Sequence, residues 1–345
     1  MEFLTSVSHS VRSDFDKSNK KFKKNNEFDD FDYQTVYFAN QYATRTVELG
    51  EDEFVDNSMD NEHKIKIKAI WGGGYDNRRN VIIDYKVDES LCENLYFKGT
   101  NTPVLPMPSS HYKLASKQIN IPKGSISDGV EVELTDAFFA DEKSLSNNYV
   151  IPIVMTDVQG ADSILEGKST IASPRLTKAD DWSVQPKNFV LYCVKFVNPW
   201  HGEYLRRGVD QATLAGVSKT IVRHAEHVEK DEVVGISTNG YRRNILSLTA
   251  KDENGVSFGY ELLLTFDEEG NCTISDESDD IQASGSGKFV IDGEKKSLGG
   301  KDRNALYLDY TVDFGNRNIK YATKDTLVLR TRNVYGAGTF DVELK

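Results

Sequence analysis

The sequence of 345 residues contains little cysteine and no long apolar run. Its three cysteines, Cys92, Cys193 and Cys272, are widely spaced and form no Cys-x-x-Cys pair. This pattern predicts neither a zinc site nor a disulfide framework, and it allows at most one bridge. No stretch approaches the roughly 20 apolar residues of a membrane-spanning helix. We therefore expect no transmembrane segment, and we interpret Cys193, which lies in an apolar run, as a small buried hydrophobic residue.

Positive charge is also scarce. The chain has 42 Lys and Arg residues against 54 Asp and Glu residues, which gives a formal net charge of −12. Because affinity for phosphates comes from clustered Lys and Arg, we expect no nucleic-acid partner. The lysines between Lys17 and Lys24 lie among Asn and Ser. We interpret residues 1–30 as a flexible, solvated leader, with a surface-binding patch as the alternative.

From Phe31 onward the apolar residues alternate with polar ones. Ile65, Ile67 and Ala69 alternate with lysines, which is typical of a strand with one solvated face. Further β-branched and aromatic runs occur at residues 81–87, 130–134 and 149–155, separated by Gly, Pro, Asn and Asp. Short strands with frequent turns predict a β-sandwich at residues 31–160.

The second half of the chain predicts a barrel. Residues 161–187 are polar and aperiodic, so we expect a linker there. A second series of β runs starts at residue 188, with hairpin turns such as Asp-Glu-Asn-Gly at 252–255. A meander of about eight strands is typical of an antiparallel up-and-down barrel, here at residues 188–345.

Catalytic and metal-binding motifs are missing. His224 and His227 flank Glu226, but residues 220–228 alternate as a strand, on which residues three apart point to opposite faces. No zinc-protease motif, phosphate loop or serine-hydrolase elbow is present. We therefore expect no metal, no cofactor and no enzymatic activity. The alternative is a glycosidase, whose two carboxylates a single sequence does not reveal.

Aromatic residues next to glycine-containing turns are the candidate binding residues. Loop aromatics stack on sugar faces or contact apolar ligands, and arginines beside them donate hydrogen bonds. The alternative is that each ring closes the end of its own hydrophobic core. The predicted ligand-binding residues are Trp71, Tyr75, Trp200, Tyr204, Arg206 and Arg207.

Several segments of the chain carry a family resemblance. Residues 31–39, 45–50, 84–91, 121–124 and 149–152 resemble a domain of unknown function, of the type numbered 1735, from Bacteroidetes surface proteins. Residues 198–202, 204–208, 263–266, 285–290 and 306–310 resemble its C-terminal companion, of the type numbered 5627. The resemblance implies an all-β protein, an immunoglobulin-like β-sandwich followed by a lipocalin-like antiparallel β-barrel.

The same resemblance implies a location and a role. Proteins of this kind are typically exported lipoproteins, associated with glycan import and suspected of glycan binding or adhesion. We expect a cell-envelope protein at the outer-membrane surface, lipid-anchored in its native precursor, that binds a polysaccharide or oligosaccharide or other glycan-uptake proteins. An adhesin and a lipocalin-like carrier of a small apolar ligand are the alternatives. This location rests on the resemblance alone, because the chain shows no secretory signal and no cysteine before Cys92.

Overall fold

The computed structural model describes residues 33–277 and 281–345. The expected leader at residues 1–30 lies outside this range. The protein is all-β, as the sequence predicts, and combines packed sheets with a closed barrel. Within the described residues, no helix has both the length and the apolar character needed to cross a membrane.

Two sheets form the N-terminal sandwich. The first sheet has the order β11-β1-β3-β9-β7, and the second has the order β24-β2-β14-β10-β4-β8 with β6 paired to β10. The first contains β1 (Thr35–Tyr37), β3 (Lys64–Gly72), β7 (Tyr112–Leu114), β9 (Ser127–Leu134) and β11 (Ser163–Ile164). The second contains β2 (Tyr42–Glu48), β4 (Val81–Val87), β6 (Leu105–Pro106), β8 (Gln118–Ile121), β10 (Tyr149–Gln159), β14 (Phe189–Val197) and β24 (Ala337–Thr339).

The sandwich core lies between these sheets. Alternation along β3 places Ile65, Ile67 and Ala69 inside, where they pack with Ile83 and Ile151 of the second sheet. The outer face of the second sheet is covered as well, by a smaller cluster that includes β5 (Leu95–Phe97) and β25 (Val342–Leu344), which pair with each other. The remaining elements are helices α1 (Ser58–Asn61) and α2 (Asp136–Ala140) and the pair β12 (Lys168–Ser169) and β13 (Trp182–Val184).

An antiparallel meander forms the barrel. Eight strands close through the pairing of β15 with β23, and β16 adds a further strand to β15. The strands are β15 (Gly202–Leu214), β16 (Val217–Arg223), β17 (Glu232–Thr238), β18 (Arg243–Lys251), β19 (Ser257–Phe266), β20 (Asn271–Asp276), β21 (Gln282–Leu298), β22 (Lys301–Phe314) and β23 (Ile319–Thr331).

The structure differs from the expected layout at the junction. The strand β14, which the sequence places at the start of the barrel, lies in the sandwich between β2 and β10. Its continuous apolar run fits this position because both faces of the second sheet are covered. The barrel therefore begins at β15. The expected linker contains β11, which pairs with β1, and the β12–β13 hairpin.

A second difference concerns the histidine pair. The expected strand at residues 220–228 ends at Arg223, so His224 and His227 both lie on the exposed connection to β17. Strand alternation therefore does not separate them. Across residues 33–277 and 281–345, no group of three or more His, Cys, Asp or Glu side chains is arranged to hold a metal ion.

Candidate functional site: a cleft in the barrel wall

The barrel wall opens between β16 and β18. One edge of β15 pairs with β23, and the other pairs first with β17 (residues 202–206) and then with β16 (residues 208–214). Strand β17 pairs with β18 only at residues 235–238, opposite residues 244–247. The end of β18, residues 248–251, pairs with β19 alone. The free edge of β18 at residues 248–251 therefore faces β16 across a gap. We call this gap the wall cleft.

The wall cleft is large enough for a small ligand. It encloses about 310 Å³, which is at the lower end of the range for ligand pockets. Residues of six strands line it, and they include charged, hydroxyl and aromatic groups. They are Arg206, Asp210, Ile221, Arg223, Glu232, Thr249, Ala250, Lys251, Tyr260 and Tyr321.

A buried ionic network forms the floor of the wall cleft. The Arg206 guanidinium is 3 % exposed. Its Nε lies 2.8 Å from Oδ2 of Asp325, its Nη2 lies 3.2 Å from the Tyr310 hydroxyl and its Nη1 lies 3.3 Å from Oε2 of Glu232. The Tyr310 hydroxyl also donates to Asp325, at 3.1 Å. Charge-assisted bonds of this kind hold the arginine in one orientation.

The second arginine of the floor is Arg223 on β16. It forms ion pairs with Asp210 and with the other carboxylate oxygen of Asp325. Thr323 donates to the remaining oxygen of Asp210, at 2.7 Å. The network thus joins β15, β16, β22 and β23, and both carboxylates are saturated by protein donors.

Gly208 allows the Asp325 carboxylate to lie close to the β15 backbone. Gly208 lies opposite Asp325 in the β15–β23 register. A Cβ atom at position 208 would lie 2.2 Å from a carboxylate oxygen of Asp325 and 2.3 Å from the Lys324 carbonyl oxygen. Glycine is therefore required where the carboxylate crosses the β15 backbone.

The electrostatics of the floor follow from burial and pairing. Burial alone disfavours the charged form of Arg206, but Tyr310 and Asp325 outweigh it, so the pKa of Arg206 is raised above its ordinary value. Burial raises the pKa of Tyr310 and of Tyr260. Arg206 therefore stays charged and both phenols stay protonated at neutral pH. The floor of the wall cleft therefore holds one arginine charge and two protonated phenol groups in fixed positions.

The rim of the wall cleft keeps free hydrogen-bonding capacity. The Glu232 side chain is 40 % exposed and contacts Arg206 through one oxygen. The Arg223 Nε has no hydrogen-bond partner among the described residues. The Tyr321 hydroxyl donates to the Lys251 carbonyl oxygen at 2.9 Å, which gives this backbone group on the open edge of β18 a hydrogen-bond partner. The Arg223 Nε is itself buried, so the rim offers a carboxylate acceptor and an exposed lysine beside tyrosine rings.

Two of the predicted site residues lie far from this cleft. Trp71 is the penultimate residue of β3, lies in the sandwich core and is 2 % exposed. The adjacent glycines do not expose the ring, because a Cβ atom on Gly74 would lie 2.8 Å from Trp71 Cη2. Tyr75 follows in the turn and is 59 % exposed. Trp71 thus closes its own core, as in the alternative interpretation.

Trp200 and Tyr204 are buried at the barrel end nearest the sandwich. The Trp200 ring stacks on Phe266 with centroids 4.0 Å apart. Tyr204 is fully buried, and its hydroxyl donates to the Trp200 carbonyl oxygen at 2.8 Å. Both residues were expected on a loop, but Tyr204 lies on β15 and points into the barrel. They close the barrel core.

The two predicted arginines separate onto the two faces of β15. Arg206 points inward and anchors the wall cleft, whereas Arg207 points outward and binds Asp231 with Nε–Oδ2 2.6 Å. Asp210, Arg223 and Asp325 are not among the residues predicted from the sequence. Charged residues at inward positions of a barrel strand indicate a buried ionic network, but such charges also remove the apolar alternation by which the inward positions of β15 would be recognised.

One solved structure decides the family. A Bacteroides ovatus protein of unknown function from structural genomics is 65% identical to the chain, covers 91% of it with 100% of its own length, and superposes with a TM-score of 0.88. The chain belongs to the family of this Bacteroides ovatus protein. The family model DUF5627, a domain of unknown function, matches residues 199–333 of the chain. A family described as an N-terminal domain matches residues 31–162.

More distant comparisons add no argument. A second Bacteroides ovatus protein of unknown function is 15% identical, covers 86% of this chain with 94% of its own, and has a TM-score of 0.41. A candidate carbohydrate-binding protein from Bacteroides ovatus ATCC 8483 is 13% identical, covers 89% of this chain with 98% of its own, and has a TM-score of 0.28. No curated protein matches the chain.

Proposed function

We propose that this chain is a non-catalytic binding protein that takes part of a glycan into the wall cleft. The observation that carries this proposal is the combination of a rigid, charged floor with a rim that exposes the Glu232 carboxylate and Lys251. A sugar presents many hydroxyl groups that both donate and accept. Such a ligand matches the exposed Glu232 and Lys251 beside the tyrosine rings.

The same contacts support a binding role over a catalytic one. A glycosidase needs two carboxylates that can exchange protons, and both oxygens of Asp325 and of Asp210 are bonded to protein donors. Among the residues that line the cleft, this leaves Glu232 alone with a free carboxylate oxygen. Burial raises the pKa of Cys92, Cys193 and Cys272 to about 12, which disfavours a thiolate nucleophile.

The interior packing disfavours the alternative of an apolar carrier. Leu246, Leu262, Leu264 and Leu306 are fully buried in one cluster that fills the barrel. Eight-strand barrels are either filled by their own side chains or hold one small ligand, and these leucines occupy the interior here. The family resemblance supports an adhesin as a second candidate function. It also supports an outer-membrane location, a lipid-anchored precursor and contacts with glycan-uptake proteins. The assignment of the first unit as immunoglobulin-like and 1735-type, and of the second unit as lipocalin-like, belongs to the same proposal.

A pair of adjacent substitutions tests the wall cleft. The full chain is first screened against a panel of neutral and acidic oligosaccharides, and hits are titrated by calorimetry. Ile221→Trp fills the cleft from β16, and we expect it to weaken binding at least about tenfold. Val222→Trp is the matched control, because Val222 is 59 % exposed on the opposite face of the same strand. We expect it to leave the affinity unchanged.

A second pair tests the chemistry of the rim. Glu232→Ala removes the exposed carboxylate, whereas Glu261→Ala removes a carboxylate on the outer face of β19 that accepts from Ser247. We expect only Glu232→Ala to weaken binding. Full affinity in both Ile221→Trp and Glu232→Ala would contradict the wall cleft as the site, and the absence of any saturable hit would contradict glycan binding.

A further inference from the structure

Two lysines without charged partners lie on opposite sides of the wall cleft. Lys251 is the last residue of β18 and lines the cleft at its free edge. Lys219 lies on β16, the strand across the gap. Both side chains are exposed, and among the described residues neither ammonium group forms an ion pair or a hydrogen bond. Unpaired cations on both edges of a cleft are available to an anionic ligand.

Lys219 lies on the face of β16 that forms the cleft wall. It is two residues from Ile221, which lines the cleft, and alternate residues of a strand share one face. Its partner in the β15–β16 ladder is Ala212, which is buried in the barrel core. Residues opposite each other in a ladder point to the same side of the sheet. Lys219 therefore continues the row of Ile221 and Arg223 along the cleft.

Tyr321 connects the two sides of the cleft near these lysines. It lies opposite Ala212 on β23, so Tyr321, Ala212 and Lys219 form one row across three neighbouring strands. Because neighbouring strands are about 4.8 Å apart, the backbones of Lys219 and Tyr321 are separated by roughly 10 Å. The Tyr321 hydroxyl reaches the Lys251 carbonyl oxygen, at 2.9 Å. Both lysines therefore lie at the same part of the cleft.

The two lysines change the sign of the charge in the cleft. The ionic network of the floor joins two guanidinium groups to three carboxylates, and alone it carries one negative charge. Its members are Arg206, Arg223, Asp210, Asp325 and Glu232. With the two unpaired ammonium groups the cleft carries one positive charge, although the whole chain has a formal net charge of −12. This local positive charge favours an anionic ligand over a neutral one.

Lys219 is far from the exposed carboxylate of the rim. Glu232 pairs with Arg206, and Lys219 pairs with Ala212 along the same edge of β15. The interval from residue 206 to residue 212 corresponds to about 20 Å of strand. Charges in solution are screened beyond about 8 Å at physiological ionic strength. Glu232 therefore does not cancel the attraction of Lys219 for an anion.

The acidic residues that follow Lys251 belong to the β18–β19 turn. Asp252 Oδ1 accepts from the backbone N–H groups of Asn254 and Val256, at 2.9 and 2.8 Å, and these bonds hold the carboxylate in the turn. Glu253 is exposed in the same turn. Neither Asp252 nor Glu253 lines the cleft. Lys251 is the charged residue of this segment that does.

We propose that the wall cleft takes an acidic glycan, in which the anionic group of one sugar unit lies between Lys219 and Lys251. Hydroxyl groups of a neighbouring unit bond to Glu232. This inference rests on the proposed function, because it names the class of glycan that the same cleft binds. An ammonium group has three donors, so Lys251 serves the anion and a hydroxyl group together. The anion is the carboxylate of a uronic acid or a sulfate ester, which present the same charge.

Two matched pairs of oligosaccharides test the charge. Trigalacturonate and its methyl ester differ in the carboxylate charge, and a sulfated galactose trisaccharide and its unsulfated form differ in the sulfate. All four are titrated into the full chain by calorimetry. We expect the charged member of at least one pair to bind at least about tenfold more tightly than its neutral partner. The pair that shows this preference identifies the anion, and added salt should reduce the preference.

The outcomes separate this inference from the proposed function. Equal binding within both pairs, or no saturable binding of either charged probe, overturns the acidic glycan. In that case a neutral oligosaccharide that binds the wild type and is weakened by Ile221→Trp still supports the proposed function. Failure of every neutral and acidic oligosaccharide contradicts both proposals.

Lysine variants locate the anion. Lys219→Gln and Lys251→Gln should each lower the ratio of charged to neutral affinity about threefold or more, because each removes one cation beside the anion. Lys117→Gln is the control, since Lys117 is exposed between β7 and β8 of the sandwich and forms no ion pair among the described residues. A preference that stays unchanged in both Lys219→Gln and Lys251→Gln overturns the proposal.

Discussion

Arg206 holds the polar floor of the barrel together, and its loss is expected to be costly. The Asp325 side chain is fully buried and pairs with Arg206 and Arg223. Arg206→Ala leaves this carboxylate with one of its two cationic partners and also removes a donor that faces Tyr310. Removing one member of a buried ion pair costs about 3–5 kcal/mol. We expect a loss of this size in the free energy of unfolding, measured by chemical denaturation.

The control for this prediction is another arginine of the same barrel. Arg242 pairs with Glu268 on the exposed surface at 2.6 Å. Exposed pairs contribute little because water screens them. Arg242→Ala is expected to leave the free energy of unfolding unchanged. Equal effects of Arg206→Ala and Arg242→Ala would contradict the buried network.

His201 predicts how stability depends on pH. Burial and the nearby Arg332 lower its pKa from 6.5 to about 4. The folded protein therefore keeps His201 neutral, and its Nδ1 accepts from the Thr238 N–H at 3.2 Å. Because the unfolded chain binds the proton first, stability is lost as pH falls below 6.5 and continues to fall until about pH 4.

The contribution of His201 is isolated by comparison with a variant. The contribution of His201 to the free energy of unfolding falls by about 2 kcal/mol between pH 7 and pH 5. Denaturation of the wild type and of His201→Asn at both pH values measures it, with His224→Asn as the exposed control. The wild type should lose more stability than His201→Asn over this interval. Identical pH dependence in the three proteins would contradict a buried neutral imidazole.

At the scale of single elements, β15 shows where sequence patterns succeed and fail. Strand β4 coincides with the run predicted at residues 81–87, because its inner positions are apolar. The inner positions of β15 include Arg206, Gly208 and Asp210, so the apolar alternation disappears. Those residues are stable inside only because β16, β22 and β23 supply partners. Because these partners lie far away in the sequence, the local pattern of β15 predicts neither the strand nor the wall cleft.

The turn that leads into β15 gives a further prediction through Trp200. Trp200 is 8 % exposed and stacks on Phe266. Trp200→Ala should therefore destabilise the protein by about 3–5 kcal/mol, the usual cost of removing a large core aromatic. Thermal and denaturant unfolding measure this loss. A variant with unchanged stability but weaker glycan binding would instead show that Trp200 is a ligand residue, as the sequence analysis expected.

At the scale of the whole molecule, buried hydrogen bonds and a returning chain segment connect the sandwich to the barrel. Asn198 is fully buried at the junction and donates to the carbonyl oxygens of Gly240 and Arg243. Arg332 Nη2 donates to the carbonyl oxygens of Leu49 and Asn198, at 3.0 and 2.9 Å. After the barrel the chain returns to the sandwich as β24 and β25. Sequence periodicity carries no information about this return.

The returning segment is expected to stabilise the sandwich. Phe340 packs on Phe97 and Tyr42 with ring centroids 5.0 and 5.7 Å apart. Removal of residues 334–345 exposes these rings and the edge of β2, so the melting temperature should fall by several degrees. Tyr335→Ala, in the same segment but 82 % exposed, is the control. An unchanged melting temperature after truncation would contradict a structural role for this segment.

The location of a bound glycan tests the central claim most directly. A crystal structure of the full chain with the tightest oligosaccharide from the screen shows which surface holds the ligand. We predict density for a sugar unit between β16 and β18, with hydroxyl groups within hydrogen-bond distance of Glu232 and Lys251. A glycan bound elsewhere, with the wall cleft filled only by solvent, would contradict the account.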